Sequence, residues 1–160
     1  MQLLHQPKLT VSFPVCGVSS EMVYRLPHVN EVAVKQLRQF ADQRGVLVPV
    51  ELAQVAPFQV QRLFWISDVP IGTRRGDHSH KDCSQFYVCC VGTIDVELWD
   101  GVDTKMITLN RGDALHVPAG IFSTEIFQEL NSVLLVLCDR AYDPEDYLHS
   151  REEFLNFRKG

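Results

Sequence analysis

The sequence predicts an all-β domain, folded as a sandwich or a barrel, with one short helix near its C-terminal end. Between residues 46 and 138 the chain carries short apolar segments that Gly, Pro, Asp or Asn separate. Evenly spaced short strands with turn residues between them are typical of sandwiches and barrels. A length of 160 residues fits one such domain with a proper core.

The predicted strands follow one another through the middle of the chain. Alternation is clearest at 93–99, where Ile94, Val96 and Leu98 occupy every second position. Asp100 and Gly101 then form a tight-turn signal before the next strand. In chain order, the predicted strands are 46–52, 58–66, 86–91, 93–99, 106–109, 114–117, 121–127 and 133–138.

The C-terminal segment changes from a strand pattern to a helical one. Ser150 and Glu153 form a capping box, which predicts a helix at 151–158 after a turn at 144–148. A second helix is expected within 31–43, where apolar residues recur at helical spacing. Residues 1–33 show no clear period, and we expect an N-terminal extension of uncertain structure there and the main domain at 34–160.

Composition excludes several classes of protein. The net charge of −5 and the pI near 5.6 argue against broad binding to nucleic acid or to anionic membranes. No apolar run approaches 18 residues, and the N-terminus lacks the pattern of a signal peptide. The five cysteines contain no CxxC motif, which indicates reduced thiols in a cytoplasmic protein.

One segment carries a chemical motif. From Gly72 to Gly92 the chain reads G-x5-H-x-H-x4-Q-x6-G, and from Gly112 it reads G-x5-P-x-G-x2-S-x3-F. Both frameworks resemble the paired signatures of the cupin superfamily. The resemblance implies a cupin double-stranded β-helix, that is, a jelly-roll barrel.

The departures from those signatures concern the metal ligands. Metal-binding cupins use two His, one Glu and a later His. Here Gln85 stands in place of the Glu and Ser123 in place of the last His. Divalent first-row ions prefer imidazole and carboxylate donors, so we expect no metal and no other cofactor.

The two remaining histidines then become candidates for proton transfer. Residues i and i+2 of a strand share a face, so His78 and His80 both point into the predicted barrel. Imidazole titrates near neutral pH and suits general acid–base chemistry. The alternative is that both histidines fill the barrel and are satisfied by hydrogen bonds.

Further residues resemble a more specific family, the dTDP-sugar 3,4-ketoisomerases, which are WxcM-like proteins of the FdtA/QdtA type. The resemblance covers roughly residues 34 to 157. Its most specific parts are the RG-x-H-x-H-K run from Arg75 to Lys81 and the late Y-x3-DY run from Tyr142 to Tyr147. The other matching positions are Asp42, Arg44, Gly45, Glu51, Pro57, Phe58, Arg62, Phe64, Gln85, Gly92, Asp100, Gly101, Pro118, Glu153, Phe154 and Leu155.

This resemblance implies a metal-free enzyme that moves the carbonyl of dTDP-4-keto-6-deoxyglucose from C4 to C3. It also implies a homodimer whose subunits exchange N-terminal strands. Carried onto this chain, His78 and His80 are the acid–base pair, and we expect His80 to be the base. Arg62 and Arg75 are expected near the sugar or the diphosphate.

The remaining pocket residues are expected from the same comparison. Gln85 and Ser123 occupy the altered ligand positions, and Trp65 stands where the family usually has Tyr. Phe122 stands near a position where the family usually has Trp. On an acidic protein an anionic diphosphate needs local cations, and Arg74 and Lys81 are further candidates.

Two other functions stay open at this stage. One is a metal-dependent cupin enzyme that accepts Gln85 as a ligand. The other is a non-catalytic nucleotide-sugar-binding cupin, which is suggested by the departures from the family pattern at Trp65 and Phe122. Related dTDP-sugar epimerases share the barrel but use a His/Asp/Tyr arrangement that the sequence alone does not place.

Overall fold

The computed structural model describes residues 25–160. Nearly all of its regular structure is strand, and the predicted C-terminal helix is present, which confirms the all-β prediction. The strands are β1 (Val34–Gln36), β2 (Phe40–Asp42), β3 (Gly45–Leu47), β4 (Arg62–Ile66), β5 (Arg74–His80), β6 (Gln85–Val91), β7 (Thr93–Trp99), β8 (Thr104–Asn110), β9 (Asp113–Val117), β10 (Phe122–Phe127), β11 (Val133–Cys138) and β12 (Tyr147–Leu148). The helices are α1 (Leu52–Val55) and α2 (Arg151–Lys159), with 3-10 turns at Val29–Glu31 and Pro144–Asp146.

Two five-stranded sheets form the body of the domain. One has the order β1-β9-β6-β11-β4 and the other β12-β5-β10-β7-β8. Strands that are neighbours in a sheet are often distant in the chain, and every pairing is antiparallel. This topology is the predicted jelly roll. A separate hairpin of β2 and β3 belongs to neither sheet.

The main core lies between the two sheets. Every second residue of the central strands points inward, which is why Ile94, Val96 and Leu98 are fully buried. Phe127, Leu115 and Leu134 meet them from the neighbouring strands. Burial of these side chains is the main source of stability of the fold.

Two smaller clusters cover the outer faces of the sheets. Apolar residues of the segment 48–60 pack on the outside of the first sheet against Phe86 and Leu137. Helix α2 packs on the second sheet, where Phe154 contacts Trp99 and Phe122. The helix begins with the predicted capping box, in which Ser150 Oγ accepts from Glu153 N.

Three local predictions were wrong. Residues 31–43 form no helix but contain β1 and β2, because pairing of β1 with β9 overrides the weak helical spacing. The predicted strand 46–52 ends at Leu47 and is followed by α1. The predicted strand 58–66 begins only at Arg62, since Phe58 and Val60 pack on the outer face of the sheet.

The start of the domain is described in part. Val29 and Val32 are buried in the main core, ahead of the expected boundary at residue 34. The prediction for residues 1–24 lies outside the described residues. Neither helix of the described part has the length and apolar character that a membrane crossing requires.

A bulge in β5 orients the residues that matter below. In the pairing of β10 with β5, Ser123 lies opposite His78 and Thr124 opposite Gly76, so Asp77 is an extra residue. Both Gly76 and Asp77 have positive φ, 79° and 52°. A bulge changes which side chains face inward on its two sides, so Arg75, opposite Glu125, joins the inner face with His78 and His80.

Candidate active site

A cavity of about 400 Å³ opens between the two sheets, beside the predicted HxH motif. Its walls combine apolar side chains, such as Phe64 and Val136, with a few polar ones. Binding sites for small molecules commonly show this combination. The polar wall residues are Arg74, Arg75, Asp77, His78, Gln85, Tyr87, Glu125 and Tyr147.

His80 is held by a buried carboxylate. His80 Nδ1 lies 2.8 Å from Asp146 Oδ2, and the two side chains are only 6% and 8% exposed. Asp146 also accepts from the backbone N–H groups of Asp82 and Cys83, which hold the carboxylate in place. Donation from Nδ1 to Asp146 leaves the lone pair on Nε2, which is the nitrogen that faces the neighbouring site groups.

The two predicted histidines converge on one point. His78 Nε2 and His80 Nε2 lie 3.2 Å apart, and the amide nitrogen of Gln85 lies 3.2 Å from His80 Nε2. The ring of Tyr147 closes this side, 4.3 Å from the His80 ring and 5.0 Å from that of His78. The two histidines therefore share one face of β5, as their i, i+2 spacing predicted.

A row of buried hydrogen bonds continues from Gln85 across the interior. The hydroxyl of Tyr87 donates to Gln85 Oε1 at 3.0 Å or to Glu125 Oε1 at 2.9 Å. Ser123 Oγ donates to Glu125 Oε1 at 3.0 Å and lies 3.1 Å from the Tyr87 hydroxyl. The row connects the histidine pair to a carboxyl group on β10.

Burial sets the charge of these groups. Burial lowers the pKa of His80 to about 4, although Asp146 acts in the opposite direction, and burial also lowers the pKa of His78. Both imidazoles are therefore neutral near pH 7 and able to accept a proton. Burial raises the pKa of Glu125 to about 7, so that carboxyl is partly protonated at neutral pH.

Arg62 lies beside the histidine pair rather than in the cavity wall. Its Nη2 donates to Cys138 Sγ at 3.4 Å, and its guanidinium stacks over Phe64 and Tyr142. Its Nε is buried without a hydrogen-bond partner among the described residues. The charge of Arg62 disfavours protonation of His80, which helps to keep that imidazole neutral.

The other predicted cations lie in three different places. Arg75 is exposed at the cavity wall, on the inner side of the bulge. Arg74 also borders the cavity, but its guanidinium lies 3.5 Å from carboxylate oxygens of Asp77 and Glu97. Lys81 leaves the site and donates to the backbone carbonyl of Glu145 at 2.5 Å.

Trp65 is not brought to the cavity. It lies on β4, where Arg62, Phe64 and Ile66 alternate with exposed side chains, and it is 67% exposed on the outer face. Phe122 is buried on the outer side of β10 against α2 and packs there with Phe154. Ser123 is buried inside, where it bonds within the protein.

Sequence reasoning missed three polar members of the site. Asp146 stood in the Y-x3-DY run, whose pattern gave no sign that a carboxylate 66 residues away would meet His80. Tyr87 follows Gln85 by two positions and Glu125 follows Ser123 by two, so the i, i+2 rule of strands was a usable signal for both.

The donor set does not fit a cupin metal centre. Gln85 turns its amide nitrogen to His80 and its oxygen to Tyr87, so an N–H group occupies the position of a ligand oxygen. In the described part of the chain one cluster near the site, His80 with Cys83 and Asp146, has metal-ligand spacing. Its carboxylate is already occupied by three N–H donors.

The arrangement suits proton transfer to and from the uncharged, partly apolar portion of a bound ligand. A neutral imidazole oriented by a carboxylate is a general base, and a second imidazole and a raised-pKa carboxyl stand nearby. The apolar walls of the cavity lower the local dielectric constant, which strengthens interactions with a developing oxyanion. The chemistry therefore favours abstraction of an acidic carbon-bound proton.

Comparisons with known proteins identify the family of the chain. Residues 30–159 match the model of the FdtA family, described as WxcM-like, C-terminal. A relative from Aneurinibacillus thermoaerophilus, TDP-4-oxo-6-deoxy-alpha-D-glucose-3,4-oxoisomerase, is 30% identical over 128 residues, which cover 79% of this chain and 92% of that protein. The family match spans all the strands from β1 to β12.

Solved structures show the same fold. The sugar 3,4-ketoisomerase QdtA from Thermoanaerobacterium thermosaccharolyticum, in complex with TDP, is 28% identical, with a TM-score of 0.76 over 82% of this chain and 97% of that one. A His-to-Asn mutant of QdtA was solved with TDP-4-keto-6-deoxyglucose. A 3,4-ketoisomerase from Helicobacter canadensis is 27% identical, with a TM-score of 0.76 over 81% of this chain and 98% of that one. The fold, the paired histidines and the family match together show that this chain belongs to the WxcM-like FdtA family.

Proposed function

We propose that the chain is a metal-independent 3,4-ketoisomerase of a nucleotide-linked 4-keto-6-deoxyhexose, of the dTDP-4-keto-6-deoxyglucose type. The observation that carries the proposal is that His78 Nε2, in the cavity wall, lies 3.2 Å from Nε2 of the buried His80, which is anchored on Asp146. The matches to relatives named 3,4-oxoisomerase or 3,4-ketoisomerase cover at least nine-tenths of the length of each relative. These observations support an acid–base reaction that needs no metal.

The reaction moves a proton from C3 to C4 and a second proton from O3 to O4. The C4 ketone makes the C3 proton acidic, so a neutral imidazole such as His80 is able to remove it and form an enediol. Return of that proton at C4 then places the carbonyl at C3. Because one base serves both carbons, His80 ends the cycle neutral, as it began.

His78 is the partner of His80 in this proposal. Its Nε2 lies 3.2 Å from that of His80, so the positive charge that forms on one ring is shared with a neighbour that accepts a hydrogen bond. Gln85 donates to the same Nε2 in the resting state and orients the imidazole. Ser123 supports this wall through Tyr87 rather than by contact with the sugar.

The diphosphate is expected at the cavity mouth, near Arg75. That side chain is exposed there and makes no ion pair within residues 25–160. Arg62, whose buried Nε has no hydrogen-bond partner within residues 25–160, is a candidate donor on the side of His80. Guanidinium groups suit phosphate and carbonyl oxygens because they offer several donors in a fixed plane.

A second copy of the chain is the expected partner protein. The hairpin of β2 and β3 joins neither sheet, and Phe40, Val46 and Leu47 on it are exposed. A lone two-stranded hairpin is marginally stable in water, and exposed apolar residues on it indicate a covering surface. We propose a homodimer in which these N-terminal strands dock on, or exchange with, the partner subunit. Trp65 and Leu63, exposed on edge strand β4, are candidates for the same interface.

The function is tested with dTDP-4-keto-6-deoxyglucose in deuterated buffer, followed by NMR. We expect a 3-keto product, with deuterium introduced at C3 or C4. Binding of dTDP without any turnover would instead favour the non-catalytic cupin. Elemental analysis of the active preparation checks the metal-free reading, and stoichiometric metal would overturn it.

Replacement of the proposed base gives a sharper test. His80→Asn should lower kcat by a hundredfold or more, because the amide cannot accept the C3 proton, while dTDP affinity stays unchanged. His28→Asn is a matched control, since His28 does not line the cavity and pairs with Asp100 instead. Wild-type kcat in the His80 variant would contradict the assignment.

A further inference from the structure

Glu125 is a buried carboxyl group in the cavity that the two-histidine scheme leaves unused. It lies on β10, two residues after Ser123, and its side chain turns into the same cavity as His78. The residue is 3% exposed. Burial of a carboxyl group is costly unless it is protonated, paired or engaged in function.

The two oxygens of this carboxyl have different surroundings. Oε1 accepts from Ser123 at 3.0 Å and lies 2.9 Å from the Tyr87 hydroxyl, which is able to donate to it. Oε2 has no hydrogen-bond partner among the described residues and lies against the backbone of Gly76, where any side chain would collide with it. A carboxylic acid that accepts at Oε1 carries its proton on Oε2, which is the oxygen left for a ligand.

Within residues 25–160, no neighbour of Glu125 neutralises it by an ion pair. Tyr87 faces it from β6, and Asp77 on β5 raises its pKa further by charge repulsion. Arg74, also on β5, is engaged with Asp77 and Glu97, and Arg75 lies opposite Glu125 in the register without an ion pair to it. Ser123 on the same strand is uncharged. The group therefore stands in the site as an acid with a proton to give.

We propose that Glu125 is a catalytic residue that carries the oxygen-bound proton from O3 to O4 through its Oε2 atom. This inference rests on the proposed 3,4-ketoisomerase function and adds the group that serves the two oxygens. The histidine pair converges on a single point and serves the two carbons. Two proton transfers in one cycle then have two separate carriers.

The cycle balances with these two carriers. In the first step His80 removes the C3 proton, the C3–H electrons form the C3=C4 bond, and the C4 carbonyl oxygen takes the proton of Glu125. This leaves an enediol, an imidazolium and a carboxylate. In the second step the Glu125 carboxylate takes the O3 proton, C3=O forms, and the C3=C4 electrons take the proton of His80 at C4. Both residues return to their starting states.

The test compares wild type with Glu125→Gln, which keeps the size of the side chain and an acceptor for Tyr87 and Ser123 but transfers no proton. We expect kcat to fall by about a hundredfold or more. The affinity for dTDP, which lacks the sugar, should change by less than about twofold. Glu125→Asp, which keeps an acid at a shorter reach, should retain more activity than the Gln variant. A Gln variant within threefold of wild-type kcat, or one at least as active as the Asp variant, would overturn the proposal.

The pH profile separates a proton carrier from a structural residue. Both histidines have lowered pKa values, so their titration affects the acid side, whereas loss of the Glu125 proton should reduce the wild-type kcat/KM above about pH 7. This alkaline limb should vanish in Glu125→Gln. The limb should persist in Cys138→Ala. This control removes a second ionisable group near the site, because hydrogen bonds from Cys83 and Arg62 lower the pKa of the Cys138 thiol.

The outcomes distinguish the two proposals. If wild type isomerises the substrate and its kcat/KM stays flat from pH 6 to about 9, the role of Glu125 is overturned but the proposed function stands. This measurement does not require any variant to fold. A wild-type protein with no turnover overturns both this inference and the proposed function. An alkaline limb that survives in Glu125→Gln also assigns the limb to another group and overturns the inference.

Discussion

At the scale of single residues, Asp146 decides what His80 is able to do. A free imidazole has two tautomers and rotates, whereas donation of Nδ1–H to Asp146 holds one tautomer and one ring orientation. Two backbone N–H groups hold the carboxylate in turn. The base is thus fixed by a chain of contacts that starts on the backbone.

Asp146→Asn should therefore impair catalysis more than folding. The amide offers His80 a donor as readily as an acceptor, so the wrong tautomer becomes populated and kcat should fall by about a hundredfold. Steady-state kinetics and thermal unfolding of the same preparation check this. Asp143→Asn is the matched control, because Asp143 is exposed and only caps the 3-10 turn through Glu145 N. Equal kcat values for the two variants would contradict the role of Asp146.

At the scale of elements, β5 and the hairpin of β2 and β3 do different work. The bulge at Asp77 lets β5 present Arg75 on the same side as the two histidines, while pairing with β10 continues on both sides. The hairpin contributes no core residue and keeps apolar side chains at the surface. One element builds the site, and the other is left for a partner.

Leu47→Glu should weaken the proposed homodimer. Leu47 is 65% exposed on β3, and a charge there is costly only where a second subunit covers it. Light scattering on concentration series should show a dimer for wild type and a shift towards monomer for the variant. Val102→Glu is the control, since Val102 is 81% exposed in the turn between β7 and β8. An unchanged dimer in Leu47→Glu, or an equal effect in both variants, would count against the hairpin as the interface.

At the scale of the whole molecule, the space between the sheets holds ionisable groups in a low-dielectric interior. Burial shifts the pKa of Glu125 up to about 7 and that of His80 down to about 4. Both shifts favour the neutral form, and both make folding stability depend on pH. The two pH dependences of stability have opposite signs, because folding favours the protonated form of Glu125 and the deprotonated form of His80.

The sign for Glu125 gives a stability prediction. Between pH 4.5 and about 7 the unfolded carboxyl has lost its proton while the folded one keeps it, so this group makes wild type less stable as pH rises. Glu125→Gln lacks that penalty, and its stability relative to wild type should increase by up to roughly 3 kcal/mol between pH 4.5 and pH 8. Urea unfolding at the two pH values measures this. A stability difference that does not change with pH would show that Glu125 is not a buried acid.

The sequence by itself determined the all-β architecture, the C-terminal helix and the HxH pair, because these depend on local periodicity and on short-range spacing. Residues i and i+2 of a strand share a face wherever the strand lies, so the convergence of His78 and His80 was predictable. The same rule could have found Tyr87 and Glu125. It failed for 31–43, where pairing with a distant strand outweighed local helical spacing.

Only the tertiary structure decided the rest, since it depends on contacts between segments far apart in the chain. Asp146 reaches His80 across 66 positions, the bulge at Asp77 determines that Arg75 faces inward, and the open face of β4 leaves Trp65 outside the cavity. The protonation of Glu125 is likewise a property of its burial between two sheets rather than of its neighbours in sequence. Local patterns select the elements, but desolvation and long-range register determine which side chains meet and which of them carry a proton.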